Sequence, residues 1–253
     1  MSARPLLSVR GLSKSFGALK VTDDFHLDVP DGELHAIIGP NGAGKTSLIH
    51  QLSGSLKSDG GTISFAGKDI TRLSMVERVR RGLARSFQIT SILEGFSVLE
   101  NTALAVQARS GSSFRFFAPA ASEAALNDQA MAALARVGLD DRAERRAGSL
   151  SHGEKRQLEI AIALATGARL LLLDEPLAGT GHEESTLLVE LMRALKATHT
   201  IVLIEHDMDA VFALADRVSV LVSGRLIATG APAEIRTDSQ VRVAYLGEEG
   251  AAA

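Results

Sequence analysis

Short apolar runs mark the first part of the chain. Residues 6–10, 22–29 and 33–38 each mix Leu, Val, Ile or Phe with polar residues, and glycine or proline separates one run from the next. Runs of this length between turn-forming residues are typical of β-strands. The pattern therefore predicts a β-rich beginning, which continues as a hairpin-like segment at residues 61–66.

Helical and strand-like patterns alternate in the rest of the chain. Apolar residues recur at helical spacing in residues 45–52, 98–108, 123–137, 154–165, 183–195 and 208–215. Strand-like runs lie at residues 84–88, 170–174, 200–204 and 217–222. Strand–helix–strand units favour right-handed crossovers in a parallel sheet. The sequence thus predicts an α/β fold in which the run at 170–174 is buried on both faces.

Composition narrows the classes of function. Among 253 residues, 27 are Lys or Arg and 30 are Asp or Glu, so the net charge of −3 argues against a dominant nucleic-acid surface. The chain has no cysteine, which excludes disulfides, zinc–thiolate and iron–sulfur sites and a cysteine nucleophile. No apolar run nears the roughly 20 residues of a spanning helix, and no signal-peptide pattern follows Met1. We therefore expect a cytosolic protein that reaches a membrane only through partners.

A glycine-rich segment follows the run at 33–38. Gly39-Pro40-Asn41-Gly42-Ala43-Gly44-Lys45-Thr46 matches G-x-x-x-x-G-K-[ST], whose backbone N–H groups wrap phosphate oxygens at a helix N-terminus. Lys45 would reach the β and γ phosphates, and the Thr46 hydroxyl would bind Mg²⁺. A plain glycine-rich turn is the alternative, but the strand before it and the helix after it favour phosphate. We predict a nucleotide site at Gly39, Asn41, Gly42, Ala43, Gly44, Lys45, Thr46 and Ser47.

Two adjacent carboxylates end the buried run at 170–174. Ligands of open α/β sheets bind at the carboxyl ends of strands. Asp174 suits Mg²⁺ coordination, and Glu175 can act as general base toward the water that attacks the γ phosphate. Because neighbouring strand residues point to opposite faces, the pair can divide these tasks. Carboxylates also cap strand ends before a proline such as Pro176, but the phosphate loop favours the catalytic interpretation.

Ser151 and Glu154 open a helical segment with the capping-box pattern S-x-x-E, which stabilises a helix start in any protein. The sharper hypothesis is that Ser151, Gly153, Glu154 and the free N–H groups of this helix bind the γ phosphate of a nucleotide held by another subunit. The two interpretations are compatible.

The order of these motifs resembles the ATP-binding-cassette (ABC) ATPase family. Lys45, Gln88, Ser151, Asp174 and His206 follow one another as in that family. The resemblance implies a P-loop, RecA-like nucleotide-binding core with an N-terminal antiparallel β subdomain and an inserted α-helical subdomain. The implied bounds are 1–88 and 159–236 for the two parts of the core, 89–158 for the helical subdomain and 237–253 for a C-terminal tail.

The resemblance also implies roles for single residues. Residues 150–154 would form the signature motif, Gln88 would link the γ phosphate and Mg²⁺ to the transporter, His206 would be the switch histidine, and Phe16 would stack on adenine. From the residues alone, Gln88 could be a solvent-facing strand end, Phe16 a core aromatic and His206 a hydrogen-bonded cap. The chain departs from the family at His152 and Glu154, where Gly and Gln are usual, and at 178–181, where the usual Asp is absent.

Finer motifs resemble the cytoplasmic ATPase subunits of bacterial branched-chain amino-acid importers. They lie at residues 97–101, 174–179, 204–208 and 244–248, and a Phe-rich segment at 114–117 resembles the longer of that system's two ATPases. The resemblance implies ATP and Mg²⁺ as cofactors and a place on the inner face of the cell membrane. The implied partners are transmembrane permease subunits, a second ABC ATPase subunit in a heterodimer or homodimer, and indirectly an extracytoplasmic solute-binding protein. No nucleic-acid partner is expected.

Other functions share part of the pattern. Urea and amide importers carry the same Ser-His-Gly signature, and a lipopolysaccharide-exporting ATPase has a similar acidic signature and ending. Some ABC ATPases are soluble and act in assembly, translation or repair. A phosphoryl-transfer kinase would not need Ser151 or His206, and an ATP sensor would bind ATP without hydrolysing it. The Phe-rich segment at 114–117 is expected either to contact a membrane subunit or another partner, or to pack locally as part of a helical loop.

Overall fold

The computed structural model describes residues 4–86, 92–110 and 120–249, so Gln88 and the Phe-rich segment at 114–117 lie outside the described residues. The strands are β1 (Leu7–Phe16), β2 (Leu19–Val29), β3 (Leu34–Ile38), β4 (Gly60–Phe65), β5 (Lys68–Asp69), β6 (Leu83–Arg85), β7 (Leu170–Asp174), β8 (Thr200–Ile204), β9 (Arg217–Val222) and β10 (Arg225–Gly230). The helices are α1 (Lys45–Ser53), α2 (Met75–Arg80), α3 (Val98–Ser110), α4 (Ala120–Ala135), α5 (His152–Ala165), α6 (His182–Lys196), α7 (Met208–Leu214), α8 (Pro232–Thr237) and α9 (Ser239–Glu249).

An antiparallel sheet forms the beginning of the chain, with strands in the order β2-β1-β4-β5. Along β1, Leu7 and Val9 are buried while Ser8 is half-buried and Arg10 is exposed, because successive side chains of a strand alternate between faces. The buried face packs with Leu48 of α1 and with one face of the second sheet in a single apolar cluster. The antiparallel sheet therefore sits against the helix that follows the glycine-rich loop.

The second sheet has the order β10-β9-β3-β8-β7-β6. Its strands from β9 to β6 run parallel to one another, whereas the edge strand β10 is antiparallel to β9. Its middle strands are buried on both faces. Ile37 joins the cluster that contains α1, whereas Ala36 and Ile38 pack with Val211 of α7 on the opposite face. This arrangement is the α/β fold with a parallel sheet that the sequence predicts.

Three helices form the inserted region. Alanines of α3, α4 and α5 pack together in one cluster, and small side chains allow helices to approach closely. Another face of α5, which includes Leu158 and Ala161, packs with Leu171 and Leu173 of β7. Because α5 belongs to both clusters, its position is set by the sheet.

The structure differs from the sequence interpretation at several elements. α2 and β10 are not predicted, and the strand expected at 84–88 is β6, which ends at Arg85. Residues 237–253 are expected to form a tail, yet α9 forms there and buries Val241 in the cluster that contains β3 and β9. Each helix described is too short or too polar to cross a lipid bilayer.

Candidate functional site

The register of the parallel sheet brings three loops together. Ile204 of β8 pairs with Ile37 of β3 on one side and with Asp174 of β7 on the other. The segments that follow these strands therefore leave the same carboxyl edge side by side. They carry the glycine-rich loop, the carboxylate pair and the region of His206. In the sequence the loop lies more than a hundred residues before the carboxylate pair, and His206 follows that pair by about thirty.

The glycine-rich loop runs from the end of β3 into the first turn of α1. Gly44 has φ +102°, and a Cβ at this position would collide with the carbonyl oxygen of Val21. Only glycine meets both conditions without strain. The loop is thus held against the antiparallel sheet while Asn41, Gly42 and Thr46 stay exposed.

Lys45 lies inside this loop. Its side chain is 8% exposed, and Nζ donates to the carbonyl oxygen of Gly39 at 2.5 Å and to that of Pro40 at 3.0 Å. Two backbone carbonyls of the loop therefore accept hydrogen bonds from the ammonium group. The cation is therefore placed within the concave loop, where the sequence predicts phosphate oxygens.

Asp174 is buried in an ion pair. It is 1% exposed, and its Oδ2 accepts a hydrogen bond of 2.8 Å from Nη2 of Arg85 at the end of the neighbouring strand β6. Both charges are removed from water, so loss of one partner would leave the other uncompensated. Arg85 holds the carboxylate that the sequence assigns to the metal.

Glu175 departs from strand geometry. Its φ is +47°, a left-handed conformation that is unusual for a residue other than glycine. Its N–H donates to the carbonyl oxygen of Ile204 at 2.9 Å. The expectation that strand alternation separates Asp174 from Glu175 is therefore wrong, because Glu175 lies beyond the strand and the backbone turn sets its direction. Non-glycine residues in such conformations concentrate at active sites.

His206 follows β8 and has an exposed imidazole. The residue before it, Glu205, is fully buried, and its Oε2 accepts the backbone N–H of His206 at 2.9 Å. Burial raises the pKa of the Glu205 carboxyl, while hydrogen bonds from the backbone N–H groups of Leu177, His206 and Asp207 act in the opposite direction.

The start of α5 confirms the predicted capping box. Oγ of Ser151 accepts the N–H of Glu154 at 3.2 Å, and Oε2 of Glu154 accepts the N–H of Ser151 at 2.9 Å. Arg142 donates to the other carboxylate oxygen at 2.9 Å. The hydrogen bond from Ser151 and the pairing with Arg142 lower the pKa of Glu154.

A cavity of about 250 Å³ lies beside this helix start. Its lining residues come from the start of α5 and from α6. A Cβ on Gly153 would lie 2.8 Å from Cδ of Glu184, so glycine leaves room for that side chain. The signature residues thus form a surface of their own, built by different elements from those that carry Lys45 and Asp174.

Phe16 ends β1 and is 53% exposed. Nζ of Lys14 lies 5.5 Å from the ring centroid, within the range of a cation–π contact. The alternative that Phe16 is a core aromatic is therefore wrong, and its ring is accessible for stacking.

The structure also identifies two charged residues that the sequence interpretation missed. Arg85 and Glu205 are buried at the carboxyl ends of β6 and β8. For Glu205, the available signal was a charged residue directly after an apolar strand and next to His206. Arg85 shows in the sequence only as a charge at the end of a short apolar run.

Oxygen donors of the site suit a hard cation. Across residues 4–86, 92–110 and 120–249, no group of three or more His, Asp and Glu side chains could hold a metal ion by itself. The loop offers the Thr46 hydroxyl and the strand end offers the Asp174 carboxylate. Mg²⁺ uses few protein oxygens and fills its other positions with water and phosphate, so this donor set fits it.

Comparisons with known proteins agree with this geometry. Residues 22–178 match the ABC transporter family, and residues 225–251 match the family described as branched-chain amino acid ATP-binding cassette transporter. The high-affinity branched-chain amino acid transport ATP-binding protein LivG of Salmonella typhimurium is 39% identical over 97% of this chain and 99% of its own length. The protein BraF of Pseudomonas aeruginosa, which carries the same description, is 37% identical over the same shares of the two chains.

A solved structure shares the whole architecture. The ADP conformation of MJ1267, an ATP-binding cassette of an ABC transporter, is 29% identical and superposes with a TM-score of 0.85 over 97% of this chain and all of that one. The helical insertion and both sheets therefore belong to one cassette. The chain belongs to the ABC transporter family, as an ATP-hydrolysing ATP-binding protein of its branched-chain amino acid transporter branch.

Proposed function

We propose that this chain drives the import of branched-chain amino acids by hydrolysing ATP at the carboxyl edge of its parallel sheet. The observation that carries the proposal is the pairing of Ile204 with both Ile37 and Asp174, which sets the phosphate loop, the carboxylate pair and His206 side by side. The names of the relatives LivG and BraF support the class of solute.

The phosphate loop would bind the nucleotide. Backbone N–H groups of residues 39–47 would surround the phosphate oxygens, and Nζ of Lys45 would exchange its two carbonyl acceptors for the β and γ phosphates. The exposed ring of Phe16 would stack on adenine. Thr46, Asp174 and Gln88 would hold Mg²⁺, which when bound neutralises charge on the phosphates.

Glu175 would be the general base. Its carboxylate would take a proton from the attacking water, and His206 from the adjacent strand end would orient the γ phosphate. The backbone hydrogen bond from Glu175 to Ile204 supports this division because it fixes the base relative to β8. Asp174 would stay with the cation, since its ion pair with Arg85 fixes the carboxylate at the strand end.

A second cassette would complete the site. Ser151, Gly153 and Glu154 form a surface built by α5 and α6, and we propose that it binds the γ phosphate of a nucleotide on a partner ATPase subunit. Hydrolysis would remove that shared phosphate and let the two cassettes separate. The partner would be a related chain or a second copy of this one.

Permease subunits would bind a groove between the core and the helical region. This cavity of about 730 Å³ is lined by α2, β6, α3 and α5, with Met75, Val76 and Ile162 among its apolar residues. Val76 is 56% exposed. A cytoplasmic segment of a permease would cover this apolar surface and place the chain on the inner face of the membrane.

Substitution of Glu175 tests the proposed base. We expect Glu175→Gln to bind ATP as the wild type does and to lose nearly all turnover, since general-base catalysis typically contributes about 10²–10⁴-fold. The measurement is phosphate release by the chain co-purified with its membrane subunits, with branched-chain amino acids, urea or amides as stimulating solutes. Glu183→Gln, an exposed carboxylate on α6, is the matched control. Full turnover by Glu175→Gln would contradict the role of the base, and stimulation by urea alone would contradict the solute.

A further inference from the structure

Glu205 connects two segments of the site. Oε1 accepts the backbone N–H of Leu177 at 2.8 Å, and Oε2 accepts the N–H groups of His206 at 2.9 Å and Asp207 at 3.4 Å. Leu177 belongs to the segment after Glu175, whereas His206 and Asp207 follow β8. One carboxylate thus bridges the backbone two residues after the proposed base to the backbone of His206.

Burial makes this bridge costly. Glu205 has no exposed surface, and a carboxylate taken out of water must be compensated by hydrogen bonds or by an opposite charge. The nearby cationic candidate is its neighbour His206, whose Nδ1 lies 3.6 Å from Oε2. Backbone N–H groups therefore supply most of the compensation. An apolar side chain would avoid the desolvation cost but would leave three N–H groups without this acceptor.

Hydrogen bonds to Ile204 and Glu205 hold the backbone on both sides of the Glu175 Cα. Glu175 has φ +47°, its own N–H is bound to the carbonyl oxygen of Ile204, and the N–H two residues later is bound to Glu205. Both fixed points belong to the end of β8. The left-handed backbone of Glu175 is thus anchored on either side to the segment that carries His206.

We propose that Glu205 is a positioning residue, whose buried carboxylate sets the placement of Glu175 relative to His206 and thereby the turnover rate. This inference rests on the proposed function of Glu175 and His206. It assigns no contact between Glu205 and the nucleotide, because the side chain is enclosed. ATP affinity, which depends on the loop around Lys45, is expected to be independent of it.

Glu205→Gln tests the bridge with little change in size. One carboxylate oxygen becomes an NH₂ group that faces an N–H donor, so the contact with Leu177 or the contacts with His206 and Asp207 must be lost. We expect kcat to fall by about 10- to 100-fold, because displacement of a catalytic group by about 1 Å costs rate on this scale. The KM for ATP is expected to change less than about twofold, since the Lys45 loop is untouched. Hydrogen exchange measured by mass spectrometry should accelerate at residues 175–180 and 205–209.

His35→Gln is the matched control. His35 is also fully buried, and its side chain makes hydrogen bonds to Ser219 of β9 at 2.8 Å and to Glu33, directly before β3, at 2.7 Å. Its loss should lower the melting temperature without the selective fall in kcat. If Glu205→Gln keeps kcat within twofold of the wild type, or if exchange at residues 175–180 is unchanged, the positioning role is overturned.

The turnover of Glu175→Gln distinguishes a failure of this inference from a failure of the proposed base. If Glu175→Gln loses turnover and Glu205→Gln does not, this inference alone fails. If Glu175→Gln keeps turnover, the proposed base fails whatever Glu205→Gln does. Glu205→Ala, which removes all three acceptor contacts, should lower kcat at least as far as Gln, and a smaller fall would also overturn the proposal.

Discussion

Glu159 is a buried charge with incomplete compensation. It lies on α5 and is 5% exposed, and its Oε2 accepts a hydrogen bond of 3.0 Å from Arg156. Its Oε1 has no hydrogen-bond partner among the residues that the structure describes. Burial raises the pKa of this carboxyl, and Arg156 only partly opposes the effect.

This raised pKa gives stability a pH dependence. The folded chain holds the Glu159 proton more tightly than the unfolded chain does, so the free energy of unfolding falls as pH rises from the unfolded pKa through the folded one. Glu159→Gln should remove this pH dependence of the free energy of unfolding. Its stability relative to the wild type should therefore rise as the pH increases to neutral. Urea unfolding from acidic to neutral pH measures it, with Glu183→Gln as the exposed control. Equal slopes for Glu159→Gln and the wild type would contradict the prediction.

Local patterns predict some site residues better than others. The placement of Lys45 in a loop at a helix start follows from glycine spacing alone. Arg85 and Glu205 are different, because their partners are 89 and 28 residues away in the chain. Pairing of strands creates these contacts, so a single stretch of sequence carries no record of them. The left-handed backbone of Glu175 likewise occurs together with a hydrogen bond to Ile204, which is 29 residues away in the chain.

Among the described helices, α2, α3 and α5 begin with the same cap, a serine followed three residues later by a glutamate. In α5 the capping pair is Ser151 and Glu154, and in α2 it is Ser74 and Glu77. In α2, Oγ of Ser74 accepts the N–H of Glu77 at 3.4 Å, and Oε2 of Glu77 accepts the N–H of Ser74 at 2.8 Å. The two caps make the same type of local contact. They differ in the proposed function, which gives only the cap of α5 a nucleotide to bind.

This pair separates capping from phosphate binding. Ser151→Ala and Ser74→Ala should each lower the free energy of unfolding by about 1 kcal/mol, the usual value of an N-cap. Only Ser151→Ala should also lower ATP turnover in the assembled complex. Thermal unfolding and phosphate release measure the two effects. Equal turnover by both variants would show that Ser151 only caps its helix.

The spacing of apolar residues predicts most accurately the helices and strands that have a strong apolar face. The helices α1, α5 and α6 and the strands β3, β7 and β8 lie within two residues of their predicted bounds. α2 has only six residues, half of them charged. β10 is an edge strand that pairs only with β9 in the described sheet. α9 gains stability from the contact of Val241 with the cluster around β9, which its own composition does not indicate.

The helical region gives the molecule a surface beside the nucleotide site. Arg85 lines the groove between α2, β6, α3 and α5 and also holds Asp174. A segment bound in the groove would therefore be one residue away from Asp174, the carboxylate that we propose binds the metal. Through this ion pair, the proposed binding of a permease segment would affect the nucleotide site, and the nucleotide would affect that binding.

A charge in the groove tests its proposed occupant. Val76→Asp should prevent association with the permease subunits, because a carboxylate would be buried against an apolar segment. ATP binding by the chain alone should stay unchanged, since α2 is outside the phosphate loop. Co-purification measures association, and Val243→Asp, at a 71% exposed position on α9, is the control. Normal assembly of Val76→Asp would contradict docking in this groove.

The pairing of β3 has a consequence for biosynthesis. This strand, which leads into the phosphate loop, pairs with β8 and β9 in the described part of the chain, so its neighbours leave the ribosome more than 160 residues after it. The antiparallel sheet needs only residues up to 69 and can form early. Until β8 emerges, the nascent polypeptide carries an apolar strand with unsatisfied edges, which is the kind of segment that aggregates or recruits chaperones. Truncated translation products of this chain should therefore depend on chaperones more than the finished protein does.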